Sequence, residues 1–107
     1  MLELTKENFE QEVLSPDSGL VFVDFWSPKC EPCMALFDDI NAFAEKNAGM
    51  AKFYKLDASV NKRLAISQKV LGLPALIFYK NGEKVFTFTA DTIDMDALQA
   101  KLEELSK

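Results

Sequence analysis

The most restrictive feature of this sequence is the absence of histidine. None of its 107 residues is His, and only two are Cys. Without an imidazole there is no Ser-His-Asp or Cys-His nucleophile, no HExxH zinc site and no side chain that ordinarily titrates near neutrality. Two cysteines are also too few for the tetrahedral ligand set of a structural zinc site. Any covalent chemistry therefore depends on thiols, carboxylates or lysines.

Positive charge is also scarce. The chain has 12 Lys and Arg against 17 Asp and Glu, a net charge of −5, and the two signs are interspersed. Nucleic acids and anionic membranes are bound through basic surfaces. The charge balance therefore predicts that neither is a partner of this protein.

A long hydrophobic run is missing too. The best candidate, Leu20–Trp26, is interrupted by Asp24 and is far shorter than the roughly 18 apolar residues of a membrane span. Residues 1–5 have neither the basic start nor the apolar stretch of a signal peptide. We therefore expect a soluble, cytoplasmic protein. In a reducing cytosol, a close cysteine pair is catalytic or metal-binding more often than it is a structural disulfide.

The chain shows no division into parts. No internal repeat, low-complexity stretch or linker interrupts it, so residues 1–107 are expected to form one domain. The hydrophobic share of 49% is sufficient for a core. We interpret the nine Phe residues as packing residues of that core.

Hydrophobic periodicity and turn residues predict an α/β fold. Strands are predicted over residues 2–4, 20–26, 51–56, 75–80 and 83–89. Four helices are predicted, over residues 5–14, 32–46, 61–71 and 94–105. Thr5 and Asp94 are the expected N-caps of the first and last helix, Gly72 is expected to end the third, and Asn81-Gly82 predicts a tight hairpin turn. Strands separated by helices should pair in parallel and the final hairpin antiparallel, giving a mixed central sheet with helices on both faces.

Both cysteines lie in one short motif, Cys30-Glu31-Pro32-Cys33, which follows the predicted strand over residues 20–26. Pro32 suits the first turn of a helix, where its missing N–H would have no partner anyway. Cys30 is then expected at the helix N-terminus, where free backbone N–H groups and the helix dipole favour its thiolate. Cys33 follows about one turn later, close enough for a disulfide but more shielded. This asymmetry predicts that Cys30 attacks and Cys33 resolves.

Three other interpretations of the cysteine pair compete with redox chemistry. A structural disulfide closing so short a loop would constrain the unfolded chain only weakly. A metal site needs further ligands, which only a dimer sharing two such pairs would supply, and no metal is expected in a monomer. An inert buried pair is disfavoured by the neighbouring Pro and Lys, which favour exposure. A CxxC motif in an α/β pattern indicates redox chemistry above these alternatives.

Four separated motifs resemble the thioredoxin family in their order and spacing. They are Val-Asp-Phe-Trp at residues 23–26, Cys-Glu-Pro-Cys at 30–33, Leu-Pro at 73–74 and Lys-Asn-Gly-Glu at 80–83. The resemblance covers essentially the whole chain. It implies a thioredoxin fold and a protein-disulfide reductase that uses a redox-active Cys30–Cys33 disulfide and no bound cofactor.

The resemblance also implies partners. The oxidised cysteine pair would be re-reduced by a flavoprotein thioredoxin reductase, and the substrates would be disulfide-containing proteins. Residues 63–69 (RLAISQK), together with the Cys-x-Pro-Cys-x-Ala-Leu run, are most similar to thioredoxins of amino-acid-fermenting anaerobes that serve glycine reductase. Glycine reductase components are therefore among the expected substrates, and we expect a monomer. The alternative is a thioredoxin-fold binding module or subunit without significant redox turnover.

Asp24 is unusual in an otherwise apolar strand. An edge position with its carboxylate in water would explain it, but Phe22 and Trp26 on the same strand face favour burial. Burial disfavours the ionised carboxylate and raises its pKa. The resemblance implies that Asp24 accepts the proton of the resolving Cys33, and that Lys55 in the next strand pairs with Asp24.

Pro74 has a simple explanation as a helix stop before a strand. The resemblance implies instead that Pro74 is a cis-proline facing the cysteines. It also implies that the backbone of Leu73 pairs with an extended substrate segment and that the ring of Trp26 lies against the active site. The full set of expected substrate contacts is Trp26, Glu31, Pro32, Leu73, Pro74 and Ala90.

Four residues depart from the usual pattern of the family. Glu31 stands where Gly is common and Lys29 where a second Trp is common, so opposite charges flank Cys30. Asp38 replaces a helix-kinking Pro, which predicts a straighter helix. Ala90 replaces a Gly of the substrate groove, and its methyl group would narrow that groove.

Overall fold

Five strands form one mixed sheet in the computed structural model, which describes residues 1–107. They are β1 (Leu2–Leu4), β2 (Leu20–Trp26), β3 (Lys52–Asp57), β4 (Ala75–Lys80) and β5 (Glu83–Thr89). Their order across the sheet is β1-β3-β2-β4-β5. β1, β3 and β2 are parallel, whereas β4 is antiparallel to both β2 and β5. The predicted mixed sheet and its antiparallel hairpin are confirmed.

Helices cover both faces of the sheet. They are α1 (Phe9–Val13), α2 (Glu31–Ala35), α3 (Phe37–Lys46), α4 (Lys62–Ser67) and α5 (Met95–Leu105). α1 and α4 bury side chains in the core on one face, and α3 and α5 do so on the other. None of these helices has the length and apolar character needed to cross a membrane.

β2 is the centre of the sheet and contributes to both cores. Val23 and Phe25 face the α1 and α4 side, and the ring of Phe25 lies 6.4 Å from that of Phe9. Phe22 faces the α3 and α5 side, with its ring 5.5 Å from that of Phe43. Burial of each such aromatic ring stabilises the fold by about 2–3 kcal/mol. The strand that leads to the cysteine motif is therefore fixed from both faces.

β4 does not run parallel, although it follows a helix. It pairs with β2 in the antiparallel sense, with Ala75 opposite Phe25. The connection from Asp57 to Ala75 brings the chain back to the sheet at the same end where β3 finished, so β4 runs in the opposite direction. The expectation of parallel pairing was wrong at this strand.

The helix predicted over residues 32–46 is divided at Leu36, so the structure has five helices rather than four. Leu36 has ψ −6°, away from the usual helical value of about −42°. Its N–H still donates to the carbonyl of Pro32 at 3.2 Å, and its carbonyl accepts from Ile40 at 2.9 Å. The helix is therefore divided even though position 38 is Asp and not Pro, and the straighter helix predicted from Asp38 is not observed.

α4 ends at Ser67 rather than at residue 71. Lys69 adopts a left-handed φ of 66°, and its N–H donates to the carbonyl of Ile66 at 2.9 Å. The next N–H, of Val70, donates to the carbonyl of Ala65 at 3.0 Å. These bonds form a Schellman motif with lysine at the position that glycine usually occupies. The prediction that Gly72 ends this helix was wrong.

The other local signals have mixed outcomes. Asn81 and Gly82 both have positive φ, 51° and 88°, as the predicted two-residue turn requires. The side chain of Asp94 accepts a backbone N–H of the first turn of α5 at 3.0 Å, which confirms it as an N-cap. Thr5 caps only a preceding turn, because α1 begins at Phe9.

Candidate functional site

The cysteine motif lies beyond the carboxyl end of β2, where the chain enters α2. Cys30 is the N-cap of α2, and a disulfide joins it to Cys33, with 5.2 Å between their Cα atoms. Cys30 is partly exposed, whereas only 6% of Cys33 is exposed. The predicted helix start and the predicted difference in exposure are confirmed.

Backbone and side-chain hydrogen bonds hold Cys30 at the start of α2. The N–H of Cys33 donates to the Sγ atom of Cys30 at 3.2 Å. The N–H of Cys30 donates to the carbonyl of Ser27 at 3.1 Å, and the buried Ser27 Oγ accepts the N–H of Lys29 at 3.2 Å. A donor directed at Sγ favours negative charge on that sulfur. Ser27 was not predicted as a residue of the site, although Ser next to Pro between a strand and a helix is typical of such turns.

Asp24 lies in the middle of β2 with only 6% of its surface exposed. The predicted burial is confirmed. Burial raises the pKa of this carboxyl from 3.8 to about 7, against the opposing effect of the Lys55 charge. Asp24 shares a strand face with Phe22, which contacts Phe43 of α3. The carboxylate is therefore on the face of the sheet that the helix after the cysteine motif covers.

Lys55 does not form an ion pair with Asp24 within 4.0 Å, although the two residues are opposite each other on adjacent strands. Its Nζ atom lies instead 5.4 Å from the ring centre of Trp26 and 5.2 Å from that of Phe37. These are cation–π distances. The expectation of direct pairing is corrected: Lys55 acts on Asp24 as a charge held at a distance by two aromatic rings. Phe37 was interpreted only as a packing residue and was missed as a neighbour of the site.

Trp26 is the last residue of β2 and is partly exposed. Its Nε1 atom is buried and has no hydrogen-bond partner. A buried donor without a partner is costly, by about 1–3 kcal/mol. The indole is thus held by its packing and by the Lys55 ammonium rather than by a hydrogen bond.

The Leu73–Pro74 peptide bond is cis, and Pro74 is buried. The following residue, Ala75, is opposite Phe25 on β2, which places Pro74 beside the end of that strand. Leu73 and Ala90 line the same groove of about 390 Å³. The structure therefore brings Leu73 and Ala90 together, as expected for a substrate groove, while Glu31 and Pro32 are exposed at the start of α2.

Comparisons with known proteins agree on one family. The family model described as Thioredoxin matches residues 1–104. A thioredoxin of Acetoanaerobium sticklandii is 45% identical over 107 residues, covering 100% of this chain and 97% of its own. A thioredoxin of Peptoclostridium acidaminophilum is 43% identical over 104 residues, covering 94% of both chains. Among solved structures, a mutant thioredoxin from Halobacterium salinarum NRC-1 superposes with a TM-score of 0.85 at 29% identity, over 99% of this chain and 90% of that one.

A matching fold, full-length relatives and a disulfide at the start of α2 lead to the same assignment. A disulfide of this kind exchanges two electrons with another dithiol through thiolate attack. The chain belongs to the thioredoxin family, and it is a thiol–disulfide oxidoreductase that works through Cys30 and Cys33.

Proposed function

We propose that this protein reduces disulfides in other proteins, with Cys30 as the attacking thiol and Cys33 as the resolving thiol. The observation that carries the proposal is the difference in exposure within the pair: Cys30 is accessible at the N-cap of α2, and Cys33 is buried. A substrate sulfur can approach only the first of them. The alternative of a binding module without redox turnover is not favoured, since the relatives are thioredoxins and the pair is joined as a disulfide.

The reaction proceeds in two exchange steps. The Cys30 thiolate attacks one sulfur of the substrate disulfide, a mixed disulfide forms, and the second substrate sulfur leaves as a thiolate. The Cys33 thiolate then attacks the Sγ atom of Cys30, closes the Cys30–Cys33 disulfide and releases the first substrate sulfur. Two electrons pass from the protein dithiol to the substrate, and two protons follow them to the substrate thiols.

Asp24 is proposed as the acceptor of the Cys33 proton. A pKa of about 7 places the carboxyl between its two protonation states at neutral pH, so it can both take up and return a proton. Lys55 is proposed as a positioning residue, because its charge lowers the pKa of Asp24 while its ammonium contacts aromatic rings.

The substrate is proposed to bind in an extended form along the groove beside Pro74, with the backbone of Leu73 as its pairing partner. The groove walls support this, because Leu73 and Ala90 line one cavity next to the end of β2. The remaining proposed contacts are at the rim of the disulfide: Trp26, Glu31 and Pro32.

The catalytic cycle needs an electron donor, which we propose to be a flavoprotein thioredoxin reductase. The protein itself is proposed to act without a bound cofactor, as a cytoplasmic monomer in which residues 1–107 form one domain. Glycine reductase components are proposed among its substrates, on the basis of the subgroup pattern at residues 63–69.

Trapping of mixed disulfides tests the division of roles. The variant Cys33→Ser should accumulate a covalent complex with an oxidised protein substrate, because nothing resolves the bond to Cys30. The matched variant Cys30→Ser should accumulate none. Equal trapping by both variants would contradict the assignment.

The wild-type protein should also accelerate the reduction of insulin by dithiothreitol, which a scaffold without turnover would not do. Metal analysis of anaerobically purified protein tests the remaining alternative, in which a dimer binds one metal ion through the four cysteines of its two chains.

A further inference from the structure

One segment of this acidic protein carries positive charges and no negative ones. Residues 58–79 contain three cations, Lys62, Arg63 and Lys69, and no Asp or Glu. The chain as a whole has a net charge of −5. A local field of opposite sign on a charged protein orients an approaching partner.

Three apolar side chains in the same segment are exposed to solvent. Val60 is 74% exposed, Ile66 is 62% exposed and Leu71 is 90% exposed. Ile66 and Leu71 line a shallow cavity of about 220 Å³, and Lys62 lies at its edge. Single exposed apolar residues are ordinary, but a cluster rimmed by charged side chains is typical of an interaction site.

The cations of this surface have no carboxylate partner within the protein. The single ion pair within 4.0 Å joins Lys101 and Glu104, in α5. Lys62 and Arg63 occupy the first turn of α4, where the helix dipole disfavours positive charge. Burial lowers the pKa of Lys84, and the nearby Lys69 charge lowers it further, so Lys69 has a second cation near it. A carboxylate from a partner would relieve this repulsion.

This surface continues into the groove lined by Leu73 and Ala90. Leu71 and Leu73 line both the cavity next to α4 and the larger groove that contains Ala90. A chain that lies in the groove therefore extends directly onto α4. Leu73 precedes Pro74, which lies beside the end of β2, so this continuity favours as occupant a protein whose extended segment lies in the proposed substrate groove.

We propose that this region docks an acidic segment of the protein substrate, with one apolar side chain of that segment in the cavity next to α4. The inference rests on the proposed function only in its choice of a substrate protein as the occupant. We call the region the α4 surface, and it consists of Val60, Lys62, Arg63, Ile66, Lys69 and Leu71. Substrates with carboxylates on both sides of an apolar residue are preferred.

Kinetics with three disulfides test this specificity. Two synthetic peptides carry the same intramolecular disulfide and end in either Leu-Glu-Leu-Glu or Leu-Gln-Leu-Gln, and 2-hydroxyethyl disulfide serves as a small neutral substrate. The double variant Lys62→Glu/Arg63→Glu should lower kcat/KM for the acidic peptide about three- to tenfold. It should leave the rates with the neutral peptide and the small disulfide unchanged. The preference of the wild type for the acidic peptide should weaken with added salt.

The matched control is Lys46→Glu/Lys52→Glu, which makes the same change in net charge at exposed positions away from the site. An equal loss of acidic-peptide activity in this control would show a general charge effect and would overturn the proposal. Replacement of the 90% exposed Leu71 by Ser should raise KM for both peptides. The same replacement at Leu2, also exposed, should not.

Binding without chemistry separates this proposal from the redox function. Chemical-shift mapping with a cysteine-free Leu-Glu-Leu-Glu peptide should show perturbations confined to residues 60–73. This result does not depend on turnover, so it stands even if reduction of the small disulfide fails. Perturbations elsewhere, or none, would overturn the docking assignment. The Lys62→Glu/Arg63→Glu substitutions could leave substrate reduction unchanged and slow only the re-reduction of the oxidised protein by a flavoprotein reductase. In that case the occupant is the reductase and not the substrate, and the proposal is overturned.

Discussion

The buried carboxylate of Asp24 should make the stability of this protein depend strongly on pH. The perturbation that isolates it is Asp24→Asn, which keeps the shape of the side chain and removes its titration. Only 6% of Asp24 is exposed, and burial raises its pKa from 3.8 to about 7. In the unfolded chain the group returns to its ordinary pKa.

The sign of the effect follows from these two values. Between about pH 4 and pH 7 the folded state holds a proton that the unfolded state has released, so wild-type stability falls as pH rises through this range. The difference is about three pH units, each equivalent to about 1.4 kcal/mol. Asp24 should therefore destabilise the fold above pH 7 by on the order of 4 kcal/mol, relative to pH 4.

Urea denaturation of the oxidised proteins at one-unit steps from about pH 4 to pH 9 measures this difference. The oxidised form is used because its cysteines do not titrate. The amide that Asp24→Asn introduces has its own burial cost, but that cost is independent of pH. The informative quantity is therefore the change with pH in the free-energy difference between Asp24→Asn and the wild type. That difference should move in favour of the variant as pH rises and become constant above about pH 8.

An exposed carboxylate provides the control. Asp17→Asn should change the free energy of unfolding by less than about 0.5 kcal/mol at every pH, because Asp17 lies in an exposed turn. If the curves of Asp24→Asn and the wild type ran parallel between pH 4 and pH 8, the assignment of a raised pKa to Asp24 would be refuted. Proton transfer by this group would then lose its main support.

Three further substitutions test other features of the site and fold. Lys55→Met should raise the pKa of Asp24 further, since the Lys55 charge lowers it. An NMR titration of the carboxyl groups that gave the same Asp24 pKa in the variant and the wild type would contradict this. Glu31→Gly removes a negative charge beside the attacking sulfur and should make the pair less reducing by about 30 mV in a glutathione equilibration; no change would discard the electrostatic argument. Gly82→Ala should destabilise the protein by about 1–3 kcal/mol, because φ is 88° and a Cβ would lie 2.5 Å from a backbone oxygen. Gly49→Ala, with open space around it, should not.

Local chemistry explains why much of the fold could be predicted from the sequence. The apolar run of β2, the Asn81-Gly82 turn and the Asp94 cap each depend on a few neighbouring residues, and all three are confirmed. The placement of Cys30 at a helix start follows from the same kind of local rule, with Pro32 in the first turn. A cap, a turn or a helix start that depends only on residues close in sequence can be predicted without knowledge of tertiary contacts.

The errors share a different cause, which is that the deciding contact is distant in sequence. The direction of β4 depends on its pairing with β2, which is distant in sequence. α4 ends early where Lys69 takes a left-handed conformation that composition does not favour. The position of Lys55 depends on Phe37 and Trp26, which belong to other elements. Family resemblance predicted that Lys55 belongs to the site but gave it the wrong direct partner. No periodicity rule selects one aromatic neighbour among nine Phe residues.

The absence of histidine and the burial of Asp24 are two parts of the same functional constraint. A chain without imidazole has no side chain whose ordinary pKa lies near neutrality, so proton transfer there requires a group whose pKa is shifted. Burial in the centre of β2 shifts the pKa of Asp24 to about 7, and the same burial destabilises the ionised form. An Asn at this position would remove that destabilisation, and it would also remove the proton acceptor. The stability lost above neutral pH is therefore coupled physically to the proposed proton transfer, and a variant that recovers the stability should lose the fast resolving step.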